Sequence, residues 1–332
     1  PELFVYPYLT NRGLIPYRDI LDQHFPGLMF FPINLDNLGM TSPSAARFWQ
    51  YGIVIITHIL LFLVARRIFK SKKKALLANF LYLAWQPFFE GWVLWIDSFL
   101  PIFLLVSFYL LSSWDKKREV KLLFFSGLLL GFALLLKQAV VPLIGLIAIF
   151  IFFRRKIIWD LIYFGFGFLI PVFSLIAYII KLGVWQDFFF WTITFNLTTF
   201  AQMGRKYPEA SLLLRSLFVF FPALFVGRKN ILIAIFILGN LAFVYARFDL
   251  VHLQPALPFV ALGLTASLFW IWQKLQTRIF IILYLLGTIV ILSKFYIGHV
   301  GRKVFFFGEF EKKIVKEVQA EKVKDNEELS LQ

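Results

Sequence analysis

FWQYGIVIITHILLFLVARRIFKSKKK, residues 48–74, decides the class of fold. From Phe48 to Phe69 the run holds no acidic residue, and it closes on Arg66, Arg67, Lys70, Lys72, Lys73 and Lys74. A stretch of about 20 apolar residues is the length at which a helix crosses the hydrocarbon core of a bilayer. Cations directly after such a stretch mark the side of the membrane that the chain does not leave. Working outward, the same unit recurs at about Ala75–Phe89, Leu94–Trp114, Leu122–Leu136, Ala139–Phe153 and Ile157–Ile180. It recurs again at about Leu212–Val226, Ile231–Tyr245, Ala256–Trp272 and Ile279–Leu292. The reading is an all-α polytopic membrane protein with about ten transmembrane helices.

Composition agrees. The chain is 60% hydrophobic and 16% charged, with 43 Phe, against about 45–50% and 25% in soluble domains. Its net charge of +15 sits in short clusters between apolar runs, which is a topology signal and argues against a nucleic-acid partner. There is no cysteine, so neither a disulfide framework nor a thiolate site exists. Three segments follow: a first extracytoplasmic loop at 1–47, a helical membrane domain at 48–296, and an extracytoplasmic charged tail at 297–332. The start at Pro1 and the charged end read as a fragment truncated at both ends.

Alternate loops carry seventeen cations: the six named above, Lys116, Lys117, Arg118, Lys121, Arg154, Arg155, Lys156, Arg228, Lys229, Lys274 and Arg278. The opposite short loops carry five, namely Lys137, Lys181, Arg205, Lys206 and Arg247. The positive-inside rule puts the first set in the cytoplasm. The outer side then holds nearly all the acidic, His, Gln and Trp residues close to membrane depth, and implies a polar cavity open to that face.

The densest titratable stretch is GLIPYRDILDQHFPG, residues 13–27, with Tyr17, Arg18, Asp19, Asp22 and His24. Pro16 and Pro26 bound a predicted interfacial helix with Asp19 and Asp22 on one face and Arg18 close to Asp22. A surface helix with one ion pair accounts for that spacing. So does a site in which a carboxylate is general base or ligand to a divalent cation, and Arg18 or His24 meets phosphate. Glu90 and Asp97 flank a tight outer connection, where ionisable groups face either headgroup water or a cavity. Lys137 next to Gln138 either snorkels or holds phosphate. Arg247, Asp249, His252 and Gln254 recur along YARFDLVHLQPALP, and Arg215 lies about one turn inside a span, where lipid phosphate is its natural partner. No zinc motif, Walker A or GxGxxG sequence is present. The aromatic stretch from about Gly183 to Ala210 reads as a loop on the membrane surface, and Asn196 opens a glycosylation sequon.

PYRDILDQHFPG, preceded by PELFVYPYLTNRG, resembles the first outer loop of GT-C glycosyltransferases, the class of protein mannosyltransferases (glycosyltransferase family 39) and aminoarabinose transferases. FPG stands where the family commonly has PP. RFDLVHLQPALPFVALG and LLLKQAVVPL resemble later outer segments of these proteins. The resemblance implies a multi-pass enzyme of the cell membrane that moves a sugar from a polyprenyl-phosphate-linked donor to a lipid, glycan or protein acceptor on the extracytoplasmic face, by inverting displacement. It implies that a first-loop carboxylate takes the acceptor's proton. Glu2 corresponds best to the second member of the family's acidic pair; the first falls at Pro1 or upstream, along with a missing first span. The catalytic carboxylate is therefore Glu2, Asp19 or Asp22, with Lys137, Arg215, Arg247 and His252 as candidates to neutralise the leaving phosphate. The competing class is a transporter or lipid-linked-sugar flippase, which calls for a midplane site between repeated halves; no internal repeat is visible.

Overall fold

The computed structural model describes residues 2–204, 206–225, 230–241, 244, 247–272 and 278–300, with side chains to 298. Arg205, Arg228, Lys229, Lys274 and the tail from 301 onward lie outside the described residues. Residues 1–273 form one compact unit and 274–332 a second.

Fourteen α-helices are present among the described residues. The N-terminal segment contributes α1 (Glu2–Asn11) and the single turn α2 (Gly27–Phe30). Six consecutive helices follow: α3 (Pro43–Phe69), α4 (Lys72–Trp85), α5 (Ile96–Lys117), α6 (Val120–Leu136), α7 (Val141–Arg155) and α8 (Ile158–Leu182). After the short α9 (Trp185–Phe189) and α10 (Ala201–Met203) come α11 (Ala210–Ala223), α12 (Ile231–Leu241) and α13 (Leu257–Trp272). The second unit holds α14 (Arg278–Phe295). Ten of these helices stand on the ten apolar runs. Five are long and apolar enough to cross a membrane: α3, α5, α7 with its preceding turn, α8 and α14. Four apolar helices, α6, α11, α12 and α13, are shorter.

Inside lipid no water satisfies a stray backbone group, so each helix must close its own ends. Ser42 caps α3 by accepting from the Ala45 amide at 3.1 Å, with Pro43 in the first turn. Three connections at the cation-rich end use one left-handed residue each: Lys70 (φ 50°), Arg118 (φ 64°) and Lys156 (φ 58°). The basic clusters thus fall in the tightest turns of the bundle.

Contacts run around the first unit from α3 through α5, α6, α8, α7, α12, α13 and α4 back to α3, with α11 against α13. Phe108 of α5 lies at the centre, 5.2 Å from the ring of Phe236 and 5.5 Å from Phe259. The most extensive pairing joins α6 to α8, and its cause is small residues. A Cβ on Gly127 would meet the Phe164 carbonyl oxygen at 2.1 Å, and one on Gly167 the Phe124 oxygen at 1.9 Å. Gly127 and Gly131, four apart, therefore let two backbones touch, the small-residue packing that lipid-embedded helices use in place of hydrophobic drive. A buried hydrogen bond of 2.8 Å between Ser107 and Ser126 ties α5 to the same helix. Gly167→Leu is expected to destabilise the detergent-solubilised protein by about 1–3 kcal/mol or more through overpacking. Gly145→Leu, at a glycine with nothing within 4 Å, is expected to leave the thermal midpoint unchanged; equal midpoints for both variants would refute this packing.

Two expectations are corrected. Residues 14–26 do not form a helix: the Asp19 carboxylate accepts the Ile15 amide at 2.8 Å, and Tyr17 (φ 68°) turns the chain so that its amide reaches the Ile20 carbonyl at 2.9 Å. A side chain that captures a nearby backbone donor competes with helix formation. Asp19 and Asp22 consequently share no helical face. Residues 185–203, read as a loop, are helical, with π-helical turns at Phe190–Thr194 and Asn196–Phe200. Runs of Phe and Trp conceal helical periodicity because every face is apolar.

Candidate functional site

The outer-side residues singled out in the sequence come together in part. Asp97 stands in the first turn of α5, fully buried. Lys137 follows the last residue of α6, where Leu136 ends the helix and the backbone becomes extended. Its Nζ donates to both carboxylate oxygens of Asp97, at 2.6 and 2.7 Å. His252, on a 3-10 turn (Leu250–Leu253) ahead of α13, places Nδ1 3.1 Å from that Nζ and 3.2 Å from the second Asp97 oxygen. Residues from three remote points of the sequence thus form one cluster at the helix ends opposite the cation-rich turns.

The cluster has a single accessible member. Side-chain exposure is 0% for Asp97, 9% for Lys137 and 17% for His252. Engagement of Nδ1 fixes the ring and leaves Nε2 as its other polar edge. The neighbouring shell is also tied down. Ser98 donates to Gln254 at 3.2 Å, and Gln254 donates to the Glu90 carbonyl at 2.8 Å.

The 13–27 stretch is an ordered turn that meets Gln138 and Trp95, sequence neighbours of Lys137 and Asp97. The Gln23 carbonyl accepts from Gln138 at 2.7 Å and from Asn196 at 2.9 Å, joining the first loop to the α6–α7 junction and to the aromatic segment. Because the Asn196 amide nitrogen also donates to the Thr192 carbonyl at 3.0 Å, the sequon nitrogen is engaged within the fold. The ring of His24 meets that of Trp95, two residues before Asp97, at 6.1 Å. Tyr17 is buried and donates to the His24 carbonyl at 2.9 Å. Burial, and then the negative charge of Asp22, push its phenol well above the ordinary range, so it remains a donor.

The three candidate carboxylates occupy different settings. Asp22 is buried and accepts from the backbone amide and ring Nδ1 of His24, at 2.5 and 2.8 Å. Asp19 is exposed and holds the turn. Glu2, in the first turn of α1, is half-buried and makes no hydrogen bond or ion pair among the described residues. Burial, then the charges of Asp22 and Glu2, raise the Tyr6 phenol, which marks Asp22, Glu2 and Tyr6 as one electrostatic neighbourhood.

Other candidates stand apart. Arg18 pairs not with Asp22, as the helical spacing predicted, but with the Gly183 carbonyl at 2.7 Å and Asp187 at 3.5 Å, because the turn directs it the other way. Arg215 has no ion-pair partner among the described residues. Arg247 and Lys206 clasp Asp249, each at 2.5 Å. Ser98, Trp95 and Tyr6 were not found from the sequence; their one signal is adjacency to Asp97 or to the first loop. Among the described residues no group of three or more His, Cys, Asp or Glu could share a metal ion.

Asp249 predicts a pH effect. Burial pushes its carboxyl up, but hydrogen bonds and charge from Lys206 and Arg247 outweigh this and leave it below the ordinary carboxylate range. A lowered folded-state value means that the clasp contributes above the unfolded pKa, about 4, and is lost as pH falls through the folded value. The Phe248 amide, bonded to the Lys206 carbonyl at 3.0 Å, reports it. Its hydrogen exchange, corrected for intrinsic rates, is expected to rise on acidification below about pH 4. In Asp249→Asn it is expected to be high already at neutral pH, with no acid step.

Residues 34–179, a little under half of the chain, match the family model described as dolichyl-phosphate-mannose-protein mannosyltransferase. No curated protein and no solved structure matches the chain. The matched region takes in α3 to most of α8, hence Glu90, Asp97, Lys137 and Gln138, and begins after PYRDILDQHFPG. It supports membership of the GT-C glycosyltransferases and a membrane glycosyltransferase of that type.

Proposed function

We propose that this protein transfers a sugar from a polyprenyl-phosphate-linked donor to an acceptor at the outer face of a membrane, in the space between the first loop and the Asp97–Lys137–His252 cluster. The observation that carries the reading is the convergence at one end of the bundle of a buried ion pair, a histidine with a free edge and a first loop bearing Asp22 and Glu2. A glycosyl phosphate leaves as an anion, so its departure needs positive charge and hydrogen-bond donors more than a proton. His252 Nε2 supplies that contact. Lys137 and Asp97 act behind it: they are paired with each other, and they fix the ring. A first-loop carboxylate takes the proton of the acceptor hydroxyl as it attacks the anomeric carbon, and the bond to the phosphate breaks with inversion.

Sidedness tests the reading. Sealed vesicles of opposite orientation, given a membrane-impermeant glycan or peptide acceptor and donor in both leaflets, are expected to label it only when the end of α5 bearing Asp97 faces the medium. Labelling confined to the opposite orientation refutes the assignment.

A further inference from the structure

A groove of about 620 Å³ lies between α3 and α5 at the cation-rich end of the bundle. Its volume falls within the roughly 300–1,000 Å³ of small-ligand sites. Leu63, Val64 and Leu105 form apolar walls, and Arg66, Arg67 and Lys70 stand along its length at the helix end. The Arg67 guanidinium lies 4.9 Å from the centre of the Tyr109 ring, and its Nε is buried without a hydrogen-bond partner. Tyr109 is twelve residues along α5 from Asp97, about 18 Å at 1.5 Å per residue, so this feature is separate from the sugar-transfer site and does not rest on that assignment.

Among the described residues the charge on this groove is uncompensated. At this end of the bundle Asp115 is taken by Arg118 and Arg154, Glu119 by Lys117 and Lys121, and Asp160 by Arg155. Arg66, Arg67 and Lys70 pair with no carboxylate among the described residues. Three cations above an apolar slot match an amphiphile with an anionic head. Guanidinium groups hold phosphate oxygens with forked hydrogen bonds, and basic pockets between spanning helices recognise lipid headgroups by this chemistry.

We propose that the groove holds one anionic phospholipid of the leaflet at this end, its phosphate on Arg66, Arg67 and Lys70 and an acyl chain against Leu63, Val64 and Leu105. A zwitterionic lipid brings its own cation to the same three charges and is disfavoured. The purified full-length chain, titrated with dioleoyl phosphatidylglycerol or dioleoyl phosphatidylcholine, is read by native mass spectrometry. Wild type is expected to retain one phosphatidylglycerol with at least tenfold preference. The triple variant Arg66→Gln, Arg67→Gln, Lys70→Gln is expected to lose that preference. The triple variant Lys116→Gln, Lys117→Gln, Lys121→Gln, with the same loss of charge at the same end, is expected to keep it. Val106→Trp fills the groove while keeping all three cations and is expected to release the lipid, which keeps the test valid if the first triple variant misfolds. Equal loss in both triple variants, persistence of the preference in the first, or a lipid that survives Val106→Trp overturns the proposal.

Discussion

Lys137→Met is expected to destabilise the protein by about 3–5 kcal/mol, the cost of leaving one half of a buried ion pair alone. The Asp97 carboxylate is fully buried and receives two hydrogen bonds from Lys137 Nζ. Without them it must either stay charged in an apolar surrounding or take up a proton. Asp97→Leu combined with Lys137→Met removes both charges and is expected to recover most of that loss, since a buried ion pair replaced by apolar residues is often neutral or better. Sugar transfer is expected to behave differently. Both the single and the double variant are expected to lose at least about 10²-fold in turnover, the scale of a lost transition-state donor, because His252 Nδ1 loses its Lys137 partner at 3.1 Å in the single variant and its Asp97 partner at 3.2 Å as well in the double. Equilibrium unfolding in detergent alongside transfer rates separates the two effects. A double variant that regains stability and activity together assigns the pair to folding alone.

The second large effect lies in the first loop. Glu2→Gln and Asp22→Asn are each isosteric and remove a base, and loss of a general base costs about 10²–10⁴-fold in rate. At least one of them is expected to collapse turnover while leaving donor binding within a few-fold of wild type. Asp19→Asn is expected to keep the turn and to leave turnover within a few-fold of wild type, since the Asp19 carboxylate accepts the Ile15 amide and an amide oxygen can accept the same bond. Turnover that stays at the wild-type level in all three variants removes the first loop from the chemistry.

The sequence made the membrane class legible through a physical constraint that is hard to satisfy in any other way. Runs such as 48–69, closed by clustered cations, have one low-energy arrangement in lipid, and the structure places a helix on each run. The close α6–α8 approach was not read, because Gly127, Gly131 and Gly167 inform only once the facing backbone is known. For the site, residue types were readable but partners were not. Asp97, Lys137 and His252 each looked polar at a span end, while the pairing of one with the others depends on how the helices are ordered around the bundle. The 13–27 stretch shows the opposite failure. Local spacing suggested a helix, and one carboxylate–amide bond at Asp19 with a left-handed Tyr17 gave a turn instead. That turn bonds Asp22 to His24, sets His24 against Trp95, two residues from Asp97, and sends Arg18 to Gly183.

Incubation of membranes carrying wild type or His252→Ala with a panel of radiolabelled polyprenyl-phosphate sugars tests the assignment most directly. The expected result is label moved from at least one donor into a lipid, glycan or protein acceptor by wild type, and a loss of about 10²-fold or more in the variant. Donor that crosses from one leaflet to the other with its sugar still attached, and no labelled acceptor from any member of the panel, would contradict a transferase and make the protein a carrier of lipid-linked sugar.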